Sequence, residues 1–432
     1  MPKERVLKIK KVDQVTAGQK RKVVIAGGGF AGVACALDLL KKHLDIQVTL
    51  LDKNNFHSYS PDFYEVAVGM AHKNPSLELK DFLELKTTVA IPFEDIFRSY
   101  KNFEFIASEV KNINFKKRLV ETDGPEIGYD YLILAMGSET NFFGIAHMAE
   151  HAFELKRLGD ALNIRAGLNE LFESRAKHDV ISIVIGGGGF TGTELAGELA
   201  INLKRLSDFY GHPLENVSLS IVEASGRLLP SLDNWISTKA KRRLEKLGVG
   251  VVLCGYITEV RKNEIILENQ KSIPFHLLVW TAGVKAASCL ENFDGIELEK
   301  NKCVAVNENL ELSGRENVFA IGDLAHIAYA ENKKPERMTA WAAIEAGHFV
   351  AKRISCLISG KNKTDFRPKS RGFVIPLGGK YALADFGWLK ISGWLAWLAK
   401  RLITLKYFMS ILPAGKAFRL WLRGIKIFTK ND

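Results

Sequence analysis

Several common features are missing from this chain, and each absence excludes something. Its five cysteines are an odd number, and Cys35, Cys254, Cys289, Cys303 and Cys356 show neither C-x-x-C nor metal-ligand spacing. They read as reduced, partly buried structural thiols of the cytosolic kind. The segment Met1 to Lys22 is basic but contains Glu4 and Asp13 and no apolar core, so neither a secretory signal nor a transit peptide fits. A loosely attached arm over 1–20 is expected. No uncharged run near the C-terminus approaches the ~18 residues that a bilayer-spanning helix needs. Acids are also scarce there: between Gly387 and Asp432, nine basic residues face the single acid Asp432, supplying +8 of the net +11.

Glycine is where the sequence is informative, in a chain whose 432 residues suffice for two or three domains. Val23-Val24-Ile25-Ala26 runs into Gly27-Gly28-Gly29-Phe30-Ala31-Gly32 and then into an alanine- and leucine-rich helix. Gly27, Gly29 and Gly32 fill the slots of G-x-G-x-x-G: one for the tight turn, one for close approach of a pyrophosphate, one for helix–strand packing. The phosphates would sit on a helix N-terminus, where free N–H groups and the dipole favour negative charge. A second strand, 46–51, ends at Asp52 beside Lys53, where a carboxylate meets a ribose hydroxyl. Alone, such a turn could equally bind nothing. Here it recurs: Ile183-Val184-Ile185 leads into Gly187, Gly189 and Gly192 in the same slots, Phe190 and Thr191 open the next helix, and the strand 217–222 delivers Glu223. Two dinucleotide sites in one chain suggest a flavin and a nicotinamide exchanging a hydride.

The aromatic stretch 56–69 leaves the first sheet near any ligand, so His57 and Tyr64 are read either as cofactor contacts or as packed core. Residues 103–131 alternate apolar and polar around Asp123-Gly124, predicting an antiparallel excursion. It closes on a buried strand ending in the small residues Ala135 and Gly137. The run 152–176 is expected to be helical. Leu277–Trp280, with Ala282 and Gly283, repeats the crossing strand and returns the chain to the first domain. The strand 317–321 ends at Gly322-Asp323, either a plain turn or a carboxylate for a flavin ribityl chain. A helix from Met338 through Ala340 to His348 then starts toward the isoalloxazine.

Four of the seven tryptophans, Trp388, Trp394, Trp397 and Trp421, lie in the basic tail. Leu395, Leu398, Leu402, Leu405 and Met409 recur at helical spacing, as do Phe418, Trp421, Leu422 and Ile425 after a break at Pro413-Ala414-Gly415. This pattern predicts two amphipathic segments lying on a bilayer surface over 387–428. A helix pair docked on the core is the competing reading, and the two can coexist; a nucleic-acid surface has no reading module in support. The expected fold class is α/β, with two Rossmann-like dinucleotide-binding domains of the glutathione-reductase type and a C-terminal amphipathic membrane-associating region. The boundaries are an arm (1–20), a discontinuous FAD domain (21–145 and 285–365), an NAD(H) domain (146–284) and the C-terminal region (366–432).

From about Lys22 to its end the chain resembles the type II NADH:quinone oxidoreductases, the non-proton-pumping NADH dehydrogenases similar to pyridine nucleotide-disulfide oxidoreductases. The resemblance rests on Asn55, His57, Pro61, Tyr64, Ala67 and Gly69, on Gly189-Phe190-Thr191-Gly192-Thr193-Glu194-Leu195, on Leu277–Gly283, on Gly322-Asp323, on Phe366, Gly372 and Leu377-Gly378, and on the tail. It implies FAD on the first turn, NADH on the second, a membrane quinone (menaquinone or ubiquinone) as acceptor, a peripheral place on the cytoplasmic face of the cell membrane, and dimerisation through the C-terminal region. Glu194 would stand near the nicotinamide–flavin contact, positioning a group or handling a proton. Glu223 disfavours a 2′-phosphate, although Arg227 leaves room for NADPH. The family's quinone-proximal helix carries Ala-Gln-x-Ala-x-Gln; here Trp341 and Glu345 replace both glutamines, and ionised Glu345 only accepts whereas Trp341 only donates. Alternatives are a sulfide:quinone oxidoreductase, which needs paired cysteines beside the flavin, a reductase for another acceptor, and an NADH-binding sensor or assembly factor with little turnover. Deleting 387–432 is expected to release the protein from membranes and preserve NADH-to-flavin transfer.

Overall fold

The computed structural model describes residues 20–42, 44–69, 75–293, 295–299, 302–327, 337–361, 365–367 and 372–429. All of the expected arm except Lys20 lies outside the described residues. Two five-stranded parallel sheets carry the fold. The first runs Val318–Ala320, Tyr131–Leu134, Arg21–Ala26, Ile46–Asp52, Phe103–Ala107. The second runs Ala152–Glu154, Leu277–Trp280, Ile181–Gly186, Val217–Val222, Gly250–Val252. The plan is the same in both: the strand before the glycine turn lies between a crossing strand and the strand that ends at Asp52 or Glu223. Val23 is in register with Val48 on one side and Tyr131 on the other. Ile183 stands likewise between Leu219 and Leu277. Strands covered on both faces need no polar alternation, which is why Val23 to Ala26 can all be core.

The first sheet takes its outermost strand from 318–320, after the second sheet is complete, so the chain leaves one unit and returns to it. The two crossings are tied together where Ser138–Thr140 pairs antiparallel with Val284–Ala286.

Two elements differ from expectation. Phe103–Ala107 is the parallel edge of the first sheet, and the antiparallel excursion is confined to Val110–Asn114, Leu119–Thr122 and Ile127–Gly128. A half-covered edge strand alternates much as a hairpin strand does. Ala152–Glu154 is a strand rather than the head of a helix. The helix begins at Leu158, where the Asp160 carboxylate accepts the N–H groups of Lys156 at 2.9 Å and Arg157 at 2.6 Å, satisfying free donors at the helix start.

The tail forms the helices Trp394–Ile411 and Ala414–Phe428, broken at Pro413. Among the described residues no helix is long and apolar enough to cross a membrane. Trp394–Ile411 is built into the molecule on one face, where Trp397, Lys400, Arg401, Thr404 and Phe408 are buried. Its other face leaves Leu395, Leu402, Ile403 and Met409 exposed.

Candidate active site

Both glycine turns open into one cleft of about 1090 Å³ beyond the carboxyl ends of the strands. Gly27 and Gly187 have φ of +111° and +107°, a region that favours glycine. A Cβ on Gly27 would stand 2.3 Å from the Ala135 carbonyl oxygen, and one on Gly187 would stand 2.4 Å from Ala282 Cα. At Gly32 and Gly192 a Cβ would come within 1.9 Å of the Gly27 and Gly187 carbonyl oxygens. Gly29 and Gly189 are different, because a Cβ there would meet nothing within 4 Å. The protein's own packing does not require glycine at these two positions. What they leave open is space at the N-termini of the helices Phe30–Lys41 and Phe190–Tyr210, a cradle that fits a pyrophosphate.

The two carboxylates hold the turns. Gly28 N–H donates to Asp52 Oδ2 at 2.8 Å, and Gly188 N–H donates to Glu223 Oε2 at 2.6 Å. The second oxygens accept from Asn54 N–H at 2.8 Å and Ser225 N–H at 2.7 Å. A carboxylate oxygen has two lone pairs, so capacity remains for a ribose hydroxyl. Arg227 is committed elsewhere, its Nη2 donating to the carbonyls of Pro230 at 2.8 Å and Leu232 at 3.0 Å.

Most residues singled out from the sequence meet in this cleft. Gly27, Gly29, Phe30, Ala31, Asp52, Lys53, Ala135 and Gly137 line it from the first turn and crossing; Gly189, Phe190, Thr191, Glu194 and Gly283 line it from the second; Gly322, Asp323 and Ala340 close it. Gly32, Gly187, Gly192 and Glu223 support the turns from behind. Trp341 and Glu345 share a helix with the lining residues Ala340 and Ala343 but do not themselves line the cleft. His57 is fully buried behind the first turn, whereas Tyr64 reaches the lining.

Lys156 is a cleft residue that the sequence did not signal, because its neighbourhood reads as helix. Its Nζ donates to Ser138 Oγ at 2.7 Å and to Asp323 Oδ2 at 3.4 Å, and Ser138 Oγ donates to Asp323 Oδ2 at 2.6 Å. Burial pushes the Glu194 carboxyl up to about 8, with Lys400 opposing and Asp62 and Glu65 reinforcing. At neutral pH it is an uncharged acid facing the cleft.

Behind the cleft, two tail cations are buried ion-pair partners. Lys400 pairs with Asp62, and Arg401 Nη2 donates to Glu65 Oε1 at 2.8 Å. Burial works against the Lys400 charge, but Asp62 and Tyr59 together outweigh it and hold the ammonium above its ordinary range. Tyr59 and Thr404 bond through their hydroxyls at 3.0 Å. These partners are more than 330 residues apart in sequence, so no local pattern could announce them.

All five cysteines are free, and Cys289 alone lines the cleft, with its Sγ 4.0 Å from Met136 Sδ. Burial raises its thiol pKa. Cys303 is turned to the Asp323 carbonyl at 3.7 Å. No cysteine pair stands beside the first turn, and no metal-ligating cluster occurs among the described residues.

Comparison with known proteins agrees with this geometry. The family described as pyridine nucleotide-disulphide oxidoreductase matches residues 21–347. A type II NADH:quinone oxidoreductase of Staphylococcus epidermidis is 30% identical over 421 residues, covering 93% of this chain and 99% of the relative. The chain belongs to the pyridine nucleotide-disulphide oxidoreductases, and among them to the type II NADH:quinone oxidoreductases. The Staphylococcus haemolyticus enzyme of that name is 29% identical over 420 residues, with the same 93% and 99% coverage. In fold the chain is similar to NDH2 from Plasmodium falciparum in complex with NADH, with a TM-score of 0.82, 20% identity and coverage of 94% and 98%. It is also similar to the sulfide:quinone oxidoreductase of Aquifex aeolicus, with a TM-score of 0.74, 20% identity and 90% of each chain covered.

Proposed function

We propose that this chain passes a hydride from NADH to FAD and then two electrons to a membrane quinone, without proton pumping, from the cytoplasmic face of the membrane. The observation that carries the reading is the single cleft onto which both phosphate cradles open, for it brings two dinucleotides within one reaction volume. When bound, FAD supplies the hydride acceptance and two-electron release that no side chain here can provide. We assign FAD to the first turn, where Asp52 faces the adenine ribose and Asp323, steadied by Ser138 and Lys156, faces the ribityl chain.

NADH is assigned to the second turn. Glu223 stands where a 2′-phosphate would fall, and Arg227 spends its donors on Pro230 and Leu232, so NADH is preferred over NADPH. Glu194 offers a proton at the meeting point of the two cofactors. Trp341 and Glu345, four residues apart on one face of the helix that also carries Ala340 and Ala343, are assigned to the quinone side. Domain limits of 21–145 with 285–365 for FAD and 146–284 for NAD(H) follow the crossings at Gly137 and Gly283. The exposed apolar face of 387–428 is the membrane contact: Trp388, Trp394 and Leu395 are 84%, 54% and 61% exposed, and the same segment carries the exposed cations Lys406, Arg419 and Arg423. Side chains of this kind suit a headgroup layer.

Steady-state oxidation of NADH by the FAD-loaded protein, with menaquinone and ubiquinone analogues as acceptors, tests the reading. Quinone-dependent turnover supports it. Normal bleaching of the flavin by NADH without quinone-dependent turnover overturns it in favour of a sensor.

A further inference from the structure

The two glycine turns present the same peptide in the same pose but fix it differently. In each, the carbonyl of the middle glycine is taken by a donor behind the turn. At the second turn that donor is local backbone, Leu229 N–H to Gly188 O at 2.8 Å. At the first it is a side chain, with His57 Nδ1 3.0 Å from Gly28 O. A carbonyl only accepts, so Nδ1 carries the hydrogen, and Nε2 of the neutral ring must then be an acceptor. It accepts from the Tyr407 hydroxyl at 2.7 Å, and Tyr407 belongs to the tail helix Trp394–Ile411. The ring is packed edge-on against Phe30 at 5.0 Å. Burial lowers its pKa to about 4, opposed by the bond to Gly28, so the neutral form is the working one.

A peptide unit is planar and trans, with its C=O and N–H pointing in opposite directions. A Gly28 carbonyl aimed at His57 therefore aims the Gly29 N–H toward the cleft, at the open cradle. The Gly28 N–H is held in turn by Asp52 at 2.8 Å, so both sides of this residue are pinned. Without the Tyr407 hydroxyl Nε2 is a buried acceptor with no donor, which narrows the preference for the Nδ1–H form and loosens the ring's hold on the Gly28 carbonyl.

We propose that His57, keyed by Tyr407, is the positioning residue for the cofactor pyrophosphate at the first turn, so that seating of the tail helix and retention of flavin are one event. This rests on the assignment of FAD to the first turn. The opposite face of the same helix, with Leu402, Ile403 and Met409 exposed, is the one given above to the membrane. The tail is thereby wired to the cofactor through two hydrogen bonds.

The test is FAD titration of the apoprotein, followed by flavin fluorescence, with the thermal midpoint of the apoprotein recorded alongside. Tyr407→Phe removes only the hydroxyl and is expected to weaken FAD binding roughly 5- to 15-fold, the yield of one hydrogen bond. His57→Leu is expected to weaken it further. His57→Asn places an amide N–H near the Nδ1 position and is expected to restore binding; in that background Tyr407→Phe should have no further effect, because the tautomer no longer matters. Unchanged FAD affinity in Tyr407→Phe, or a lowered apoprotein midpoint with unchanged affinity, overturns the proposal. Gly29→Val separates the two levels. If it binds FAD like the wild type, the assignment to the first turn fails. If it loses FAD while Tyr407→Phe and His57→Leu retain it, the positioning role fails alone.

Discussion

Arg401 donates to Glu65 at 2.8 Å with only 7% and 3% of the two side chains exposed, so the most basic segment of the chain is fastened from inside to the helix Phe63–Ala67. The tail is not a detachable anchor. Removing 387–432 would uncover Asp62 and Glu65, take away their cations and strip His57 of its partner, so the truncated protein is expected to lose flavin. Arg401→Met alone is expected to cost roughly 3–5 kcal/mol by leaving Glu65 buried without its cation, and Arg401→Met with Glu65→Leu should recover most of that. Urea denaturation checks both; a single variant as stable as the wild type contradicts the account.

Gly27→Ala and Gly29→Ala should behave differently although they stand two residues apart. The first meets the Ala135 carbonyl at 2.3 Å in a left-handed conformation, so its folding yield should fall. The second meets nothing within 4 Å, so the apoprotein should fold normally and bind FAD at least tenfold more weakly, the alanine methyl standing where the phosphate approaches. Circular dichroism and FAD titration separate the outcomes.

Glu194, with its carboxyl raised to about 8 mainly by burial, keeps its proton at neutral pH. A raised carboxyl pKa makes the folded state lose stability as pH climbs from the ordinary glutamate range through 8. Glu194→Gln should therefore be more stable than the wild type at pH 9. If this proton is used in turnover, the wild-type rate falls above pH 8, and the Gln variant lacks that inflection while turning over roughly a hundredfold more slowly. A pH–rate profile in which both proteins share the inflection removes Glu194 from proton handling.

His57 titrates the other way. Its pKa is lowered to about 4 by burial, so the unfolded chain takes up a proton that the folded one refuses, and stability is lost as pH falls from about 6.5 toward 4. On the scale of roughly 1.4 kcal/mol per unit, this amounts to about 3 kcal/mol when complete. His57→Asn should show a shallower fall of thermal midpoint over that range; an identical slope refutes the assignment.

Trp388 is 84% exposed in the Phe386–Leu389 turn and Trp394 is 54% exposed at the start of the tail helix. Trp388→Ser with Trp394→Ser is expected to lower binding to anionic vesicles by at least tenfold and to leave flavin content unchanged. Sedimentation with vesicles measures it; undiminished binding places the membrane contact elsewhere.

What was legible in the sequence is what is encoded locally. The glycine turns, their strands and the carboxylates at Asp52 and Glu223 each announce themselves within about 30 residues, the span of one βαβ unit. Net charge was less transparent. The tail's excess of lysine and arginine reads as a surface for lipid, yet Lys400 and Arg401 are buried ion-pair partners, Lys390 reaches Asp233 at 3.0 Å, and Lys416 reaches Asp95 at 2.5 Å. A composition records cations but not which of them have found an acid across the fold. Tyr407 was hidden for the same reason: its partner lies 350 residues earlier, and an aromatic on an amphipathic helix carries no mark of a hydrogen bond. Lys156 was lost to a wrong period, because three strand residues ahead of a helix extend its apolar pattern.

The different donors behind the two glycine turns also set an order of assembly. The second turn takes Leu229, about 40 residues downstream, and its sheet is complete once Trp280 has been made. The first turn waits for Tyr407, 350 residues beyond His57. A chain emerging from the ribosome, whose units fold from the N-terminal side onward, can finish its second turn well before its first. With FAD assigned to the first turn as proposed above, flavin uptake is expected only once Tyr407 has been made, and a chain interrupted before the helix Trp394–Ile411 is expected to be colourless.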